Sequence, residues 1–483
     1  MNINLLAILP EILILTLGML VLILDPFWKD ENRRTSLGWL TAGGLTVILA
    51  LCLLLDRPSE SVLAFGGMVR YDWLAFVFKM MFIFGAAITA LFMMDVEKVN
   101  KRAEAYLLLL AATIGMNLMA SASDLVMLYL AIETTSIPMY VMAGFLLDDK
   151  KSTEAGFKYL LFGAMTSAIF LYGLSLVYGF SGTTQFAGIA SYFKTANPVS
   201  LGVLFLIIVG LGFKVSLVPF HFWAPDTYEG APTPVAGFLS TASKAAGFAV
   251  LMRLLITAFP LTAFQHVDWR TLLAIVSVMT MTLGNLVALA QTNIKRLLAY
   301  SSIAHAGYAL IGLVANNQLG VTAVVFYLIA YILTNLAAFG IVMAFGHVTG
   351  SDEIRAYDGM SRRAPYLGLA MLVAFLSLSG MPPFGGFMAK LLVFAAAIQA
   401  GWYWLVIIGI LNSIIGLYYY LTVLKYVYLY RMEGENEEAY PIQLSRPFVL
   451  ALTVLTFGIV LVGTFFGPWF GFAANAAKVL IPF

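Results

Sequence analysis

Long apolar runs, each set off from the next by a short polar stretch, take up most of this 483-residue chain. A helix needs roughly 20 apolar residues to cross the hydrocarbon of a bilayer. On that measure the pattern predicts fourteen spans, at 3–24, 37–55, 71–94, 103–121, 123–147, 153–180, 199–222, 231–258, 270–290, 297–315, 320–347, 364–400, 402–430 and 446–468. The expected fold is therefore an all-α polytopic membrane protein. The first run contains Glu11 and no Lys or Arg, so it reads as a retained span rather than a cleaved signal.

Two spans are interrupted. In the seventh, Pro219 follows Lys214 closely, lacks an N–H and clashes one turn back, so the helix should kink or unwind there. In the twelfth, Gly380, Pro382, Pro383, Gly385 and Gly386 make a continuous helix improbable. Broken helices at matching places in two halves point to an ion pathway. The breaks lie five spans apart, and an odd repeat length turns the second copy upside down. This predicts inverted five-helix repeats, spans 4–8 (103–258) and 9–13 (270–430). They are flanked by a three-helix segment (1–102) and a C-terminal helix and tail (446–483). Two unrelated proline kinks are the alternative.

Charge adds sidedness. Sixteen Lys and Arg fall in loops on one side and six on the other, with five inside spans. The positive-inside preference puts the richer side in the cytoplasm and both termini outside, in a bacterial plasma (inner) membrane. Phe222–Pro232 breaks the pattern, carrying Asp226 and Glu229 but no base. It reads either as a short hairpin or as an acidic entrance for protons.

Four charges lie deep in spans: Glu133, Lys214, Lys244 and Lys390. A charge at the bilayer centre costs at least about 2.5–3.5 kcal/mol, so each needs a partner, a wet cavity or a task. Lys214 is the expected partner of Glu133, either exchanging a proton or forming a static pair. Lys244 is too far from either helix end to snorkel, and Ser240 and Thr241 share its face. His305 has Ser301, Ser302 and Tyr308 within one turn and reads either as a relay or as a packing residue. Tyr327, Tyr331, Thr334 and Asn335 form a polar stripe on the next span, for water or for interhelical bonds. Lys390 follows the second break, whose carbonyls could hold its charge. Glu11, Lys79 and Lys425 lie nearer helix ends, where snorkelling is expected.

Composition narrows the function. Hydrophobic residues make up 61% and charged ones 11%, and the net charge of +2 offers no basic excess for nucleic acid. Cys52 is the only cysteine, and the four histidines, His266 and His347 among them, show no metal spacing. No phosphate loop or dinucleotide fingerprint occurs. A driven proton path would draw on redox chemistry elsewhere.

The stretch Lys214-Val-Ser-Leu-Val-Pro-Phe-His-Phe-Trp-Ala-Pro-Asp-Thr-Tyr-Glu-Gly-Ala-Pro-Thr-Pro234, followed by Ser240-Thr-Ala-Ser-Lys244, resembles the signature of the antiporter-like membrane subunits of respiratory complex I. These belong to the proton-translocating NADH:quinone oxidoreductase. The Tyr-Glu-Gly-Ala-Pro-Thr-Pro form, Lys295-Arg-Leu-Leu-Ala-Tyr-Ser-Ser before His305, and Met-Pro-Pro-Phe-Gly-Gly-Phe before Lys390 are most similar to the subunit N branch. The chain ends soon after the fourteenth span, without the long lateral helix that marks subunit L. The resemblance implies that Glu133 and Lys214 modulate, that Lys244 holds the proton of the first half, and that Lys390 serves the second. It implies no cofactor in this chain, with NADH, FMN, iron-sulfur clusters and quinone in other subunits. It also implies other membrane-arm subunits, antiporter-like ones included, as partners in the bilayer. A sodium/proton antiporter subunit and a purely structural spacer of the membrane arm are the rival readings.

Overall fold

The computed structural model describes residues 4–28, 31–192, 198–261, 268–431 and 442–481. Lys29, Lys194 and His266 lie outside the described residues. The main helices are α1 (Leu9–Leu24), α2 (Glu31–Leu55), α3 (Trp73–Met93), α4 (Ala103–Ser121), α5 (Leu125–Ala143) and α6 (Lys150–Ser181). Next come α7 (Pro198–Lys214), α8 (Trp223–Gly230) and α9 (Thr233–Ala258). The second half holds α10 (Trp269–Leu289), α11 (Ile294–Ala315), α12 (Gln318–Thr349), α13 (Pro365–Ser379), α14 (Gly385–Gln399) and α15 (Tyr403–Tyr428). The chain closes with α16 (Arg446–Thr464) and α17 (Phe466–Leu480).

Among the described residues, 12 helices are long and apolar enough to cross a membrane. The two expected spans missing from that set are the seventh and twelfth, the two that break. α3, α9, α11 and α12 are almost wholly buried, whereas α1, α2, α6, α15 and α16 turn large apolar side chains outward. A helix that is apolar all round fits either setting.

The two copies share a register. α6 and α12 each run for 32 residues and end on a left-handed glycine, Gly182 (φ 69°) and Gly350 (φ 66°). α5 and α11 start from side-chain caps, Asp124 accepting from the Val126 and Met127 N–H groups and Asn293 from those of Lys295 and Arg296. Each cap residue makes an antiparallel bridge to the chain just beyond the long helix, Asp124 with Gln185 and Asn293 with Glu353. The first bridge lies beside a hairpin of Val62–Ala64 and Val69–Tyr71, where Ser123 N–H donates to Met68 O at 3.0 Å. The second lies at the opposite end of α6, where Lys151 meets Glu229. The second copy is thus inverted relative to the first.

Both breaks are real, and both re-satisfy their backbone. α7 stops at Lys214; Leu217 N–H then donates to Gly212 O (2.8 Å) and Val218 N–H to the Thr280 hydroxyl (3.1 Å). α13 stops at Ser379, Gly380 takes φ 87°, and Met381 N–H donates to Leu376 O (2.9 Å). Gly386 restarts the chain against α13, where a Cβ would fall 1.8 Å from Ser377 O, so only glycine fits. Two expectations differ from what is observed. Phe222–Pro232 is mostly helix, because Ala224 and Ala231 N–H groups find helical acceptors in His221 and Thr227. The last expected span is α16, and the tail expected after it forms a further helix, α17, which packs back on α3 and α12.

Candidate functional site

A line of buried polar groups crosses the middle of the bundle, from α5 through α9 and α11 to α14. It begins at Glu133, half-buried on α5, which accepts a hydrogen bond from the Ser167 hydroxyl of α6. One turn on, Ser136 accepts from Lys214 Nζ at 3.0 Å. Glu133 and Lys214 face one small cavity of about 20 Å³ with Tyr140, Thr166 and Ser167. They come within electrostatic reach but not within 4.0 Å, so the expected direct ion pair is not formed. The reason is local: each charge already has a serine at hydrogen-bond distance.

Lys214 packs its stem against Gly247 of α9, where a Cβ would meet Lys214 Cγ at 3.3 Å. One turn before that glycine stands Lys244, 2% exposed. It follows a π-helical turn, Leu239–Ser243, a local widening often found at functional sites. Lys244 Nζ donates to Ser302 O at 2.8 Å and to the Ser302 hydroxyl. Ser240 and Thr241, expected to leave room for water at Lys244, are tied elsewhere. Thr241 and Ser240 bond back to Gly237 O, and Asn335 donates to Ser240 Oγ at 2.7 Å.

His305 is 6% exposed and central. Its Nδ1 meets the Tyr327 hydroxyl at 2.6 Å and its Nε2 the Tyr420 hydroxyl at 3.2 Å, while Tyr420 also bonds Ser301. Tyr331 lies over the ring, its centroid 5.2 Å away. The neighbours expected from helical spacing serve other groups: Ser302 holds Lys244, and Tyr308 accepts from Asn285 at 3.0 Å. A cavity of about 10 Å³ bounded by His305, Tyr327, Tyr331, Thr334, Ser377 and Gly386 is at the lower limit for a single water.

Lys390 Nζ donates to Ser379 O (2.8 Å) and Ser413 Oγ (2.9 Å) and sits 4.9 Å above the Tyr308 ring. The carbonyl comes from the end of α13, freed by the break, as the position of Pro382 and Pro383 suggests. Thus Glu133, Lys214, Lys244, His305 and Lys390 fall on one axis, and Pro219, Pro382 and Pro383 on the two breaks beside it. Ser136, Ser413 and Tyr420 complete the axis and were not singled out in sequence, and Ser302, expected beside His305, serves Lys244 instead.

Asp226 and Glu229 stand off the axis, in the first and last turns of α8. Asp226 accepts from Lys158 (2.6 Å) and Arg296 (2.8 Å), Glu229 from Lys151 (2.8 Å) and Arg296 (2.9 Å). Burial opposes their ionisation, but these bases outweigh it and hold both carboxyls below the usual carboxylate range. Cavities of about 180 and 250 Å³ flank the cluster.

Three further charges differ from expectation. Glu11 and Lys79 do not snorkel: they form a buried pair at 2.8 Å, and Lys79 also donates to Ala7 O (2.7 Å). Lys425 does remain exposed, 5.0 Å from the Tyr430 ring centroid at its helix end. Arg253, one of the six bases that the sequence places in loops of the outer side, is 2% exposed and grips Asp72 through two 2.8 Å bonds.

Residues 122–416 match the family described as "NADH:quinone oxidoreductase/Mrp antiporter, TM". The NADH-quinone oxidoreductase subunit N of Moorella thermoacetica is 44% identical over 480 residues, covering 99% of this chain and 98% of that protein. The NAD(P)H-quinone oxidoreductase subunit 2 of Nostoc punctiforme is 42% identical, covering 97% and 90%. A chain of respiratory complex I from Thermus thermophilus superposes with a TM-score of 0.81 at 34% identity, covering 96% of this chain and 99% of that one. A chain of the Mrp complex from Dietzia shares the fold, with a TM-score of 0.87 at 18% identity over 99% and 98% of the two chains. With its inverted repeats, broken helices and near full-length relatives, the chain belongs to the antiporter-like membrane-subunit family of NADH:quinone oxidoreductase, among the subunit N proteins.

Proposed function

We infer that this chain moves protons across a bacterial inner membrane as a subunit of NADH:quinone oxidoreductase, coupled to electron transfer from NADH to quinone in other subunits. NADH, FMN, iron-sulfur clusters and quinone belong to those subunits, and this chain binds neighbouring membrane-arm subunits within the bilayer. One observation carries the reading. Lys214, Lys244 and Lys390 are each less than 10% exposed, and each ammonium is held by serine oxygens, with no carboxylate of the described residues within 4.0 Å. A structural lysine would need an anion, because burying an ion costs several kcal/mol that neutral dipoles only partly offset. An ammonium so balanced changes protonation when a charge nearby moves.

Glu133 supplies such a charge for Lys214. A proton released at Lys214 passes to Lys244, held by Ser302, then by way of Ser301, Tyr420 and His305 to Lys390. The two units that carry these residues are 103–258 and 270–430, with 1–102 and 446–483 packed around them. Uptake occurs through the cavities at Asp226 and Glu229, on the cytoplasmic side, and both termini lie outside.

Replacing Lys214 or Glu133 with alanine in the assembled complex is expected to lower both proton pumping and coupled quinone reduction. Normal proton stoichiometry and turnover in both variants would dismiss the function.

A further inference from the structure

The first three helices hold a cluster of ionisable groups that the axis does not use. Glu11 comes from the first turn of α1, Asp56 from the end of α2 and Lys79 from α3, and they are 7%, 2% and 3% exposed. Lys79 Nζ lies 2.8 Å from Glu11 Oε1 and donates to Ala7 O. Three oxygens in the cluster, Glu11 Oε1 and Oε2 and Asp56 Oδ1, are buried and accept no hydrogen bond among the described residues, Oε1 meeting Lys79 as an ion pair. The other titratable groups facing it are Cys52, one turn before Asp56, and Tyr71, whose hydroxyl donates to Asp56 O at 3.0 Å. Arg57, next in the chain, is exposed and turns back to Leu53 O.

The charges do not balance. Two carboxylates share one ammonium in a buried site, and like charges there cannot all stay ionised. The fold decides which acid yields. Glu11 sits at a helix N-terminus and touches Lys79, both of which favour its anion. Asp56 sits at the opposite kind of helix end: its N–H extends the α2 ladder to Cys52 O at 2.9 Å, which puts its carboxyl among the terminal carbonyls.

We propose that Glu11, Asp56 and Lys79 form a second proton-binding site, in which Asp56 carries one proton beside the Glu11–Lys79 pair. Burial pushes the Asp56 carboxyl up to about 6 against the opposing pull of Lys79 and Tyr71, which agrees with this assignment. The site lies at the end of the bundle that carries the Val62–Tyr71 hairpin. It is walled from Lys244 by α3, whose Gly85 lies so near Ala242 that an added Cβ would come within 3.5 Å of the Ala242 Cβ. It does not rest on the proton path of the central axis.

The test is infrared difference spectroscopy of the reconstituted complex, stepped between about pH 5 and pH 8. Wild type should lose one protonated-carboxyl C=O band as pH rises, and Asp56→Asn should lack that band. Lys79→Met removes the nearby positive charge and should move the band's midpoint up by at least about one pH unit. A difference spectrum for Asp56→Asn that superimposes on wild type would overturn the proposal, as would an unmoved midpoint in Lys79→Met. Should Asp56→Asn fail to assemble, Asp56→Glu must change the band's frequency or midpoint, and an identical band overturns the proposal equally.

Discussion

Replacing Asp72 by asparagine tests whether the buried Arg253 contact joins the three-helix segment to the first repeat. Asp72 caps α3, accepting from Ala75 N–H at 2.8 Å, and takes both arms of the Arg253 fork; the two side chains are 0% and 2% exposed. Arg253 Nε donates to Ala120 O at 3.1 Å, so α3, α4 and α9 meet at one guanidinium. Asparagine keeps the cap but removes the charge, leaving a buried cation with no anion, which costs about 3–5 kcal/mol. Arg70 makes matters worse, since burial and the charge of Arg253 already hold its guanidinium below its usual range. Without Asp72 two cations face each other. Arg253→Met should cost less, because Arg70 then compensates Asp72, and the double variant should recover to within about 1–2 kcal/mol of wild type. The assay is thermal inactivation of the detergent-purified complex for the full double-mutant cycle. If Asp72→Asn is no less stable than the double variant, the coupling is absent and the reasoning fails.

Two further outcomes follow from the same geometry. Tyr420→Phe keeps the ring against Phe375, at 5.4 Å, but removes the hydroxyl shared by Ser301 and His305. One relay hydrogen bond is worth about 1–1.5 kcal/mol, so proton pumping per unit time should fall about tenfold with assembly intact; an unchanged pumping rate in proteoliposomes would contradict the relay. Asp226 and Glu229 have depressed folded pKa values, so the stability they supply is complete above the unfolded carboxylate range near about 4 and is lost only as pH falls through their folded values. The destabilisation caused by Arg296→Gln should therefore be equal at pH 8 and pH 5 in a thermal-shift assay, and an effect that fades by pH 5 would show that the clamp titrates earlier.

Much of the axis was legible because the bilayer makes charge conspicuous. Glu133, Lys214, Lys244 and Lys390 stand out from apolar runs, and the prolines and glycines beside two of them mark the breaks. What stayed hidden were the partners. Serines are common in membrane helices, and nothing along the chain distinguishes Ser136, Ser167 or Ser413 from the other serines until the helices are packed. Arg253 was misplaced for a related reason. It sits near the end of an apolar run, where a loop base is the ordinary reading, and its acid partner is remote in sequence at Asp72. Glu11 and Lys79 looked free to snorkel because each is close to a helix end. They pair because α1 and α3 bring those ends together, a fact of tertiary packing that helical spacing does not carry.

The register of the two copies sharpens what each polar group is for. Counted from the caps Asp124 and Asn293, Glu133 and Ser302 occupy the same place, as do Ser136 and His305. Counted from the starts of the two long helices, Tyr159 matches Tyr327, Thr166 matches Thr334 and Ser167 matches Asn335. The scaffold is repeated and the chemistry exchanged. In the first copy the shared place is an acid, held by Ser167, within reach of Lys214. In the second it is a hydroxyl, and it receives Lys244, a residue of the first copy's last helix. Lys244 thus crosses the boundary between the repeats. A carboxylate at 302 would pin it as a buried ion pair, strongly destabilised by loss of either charge. A serine there holds the ammonium without fixing it, and the copy that lacks the acid has gained in His305 a side chain that both donates and accepts. The asymmetry places the acid at one edge of the axis and groups that both donate and accept in its middle, the arrangement a proton path needs and a rigid spacer does not.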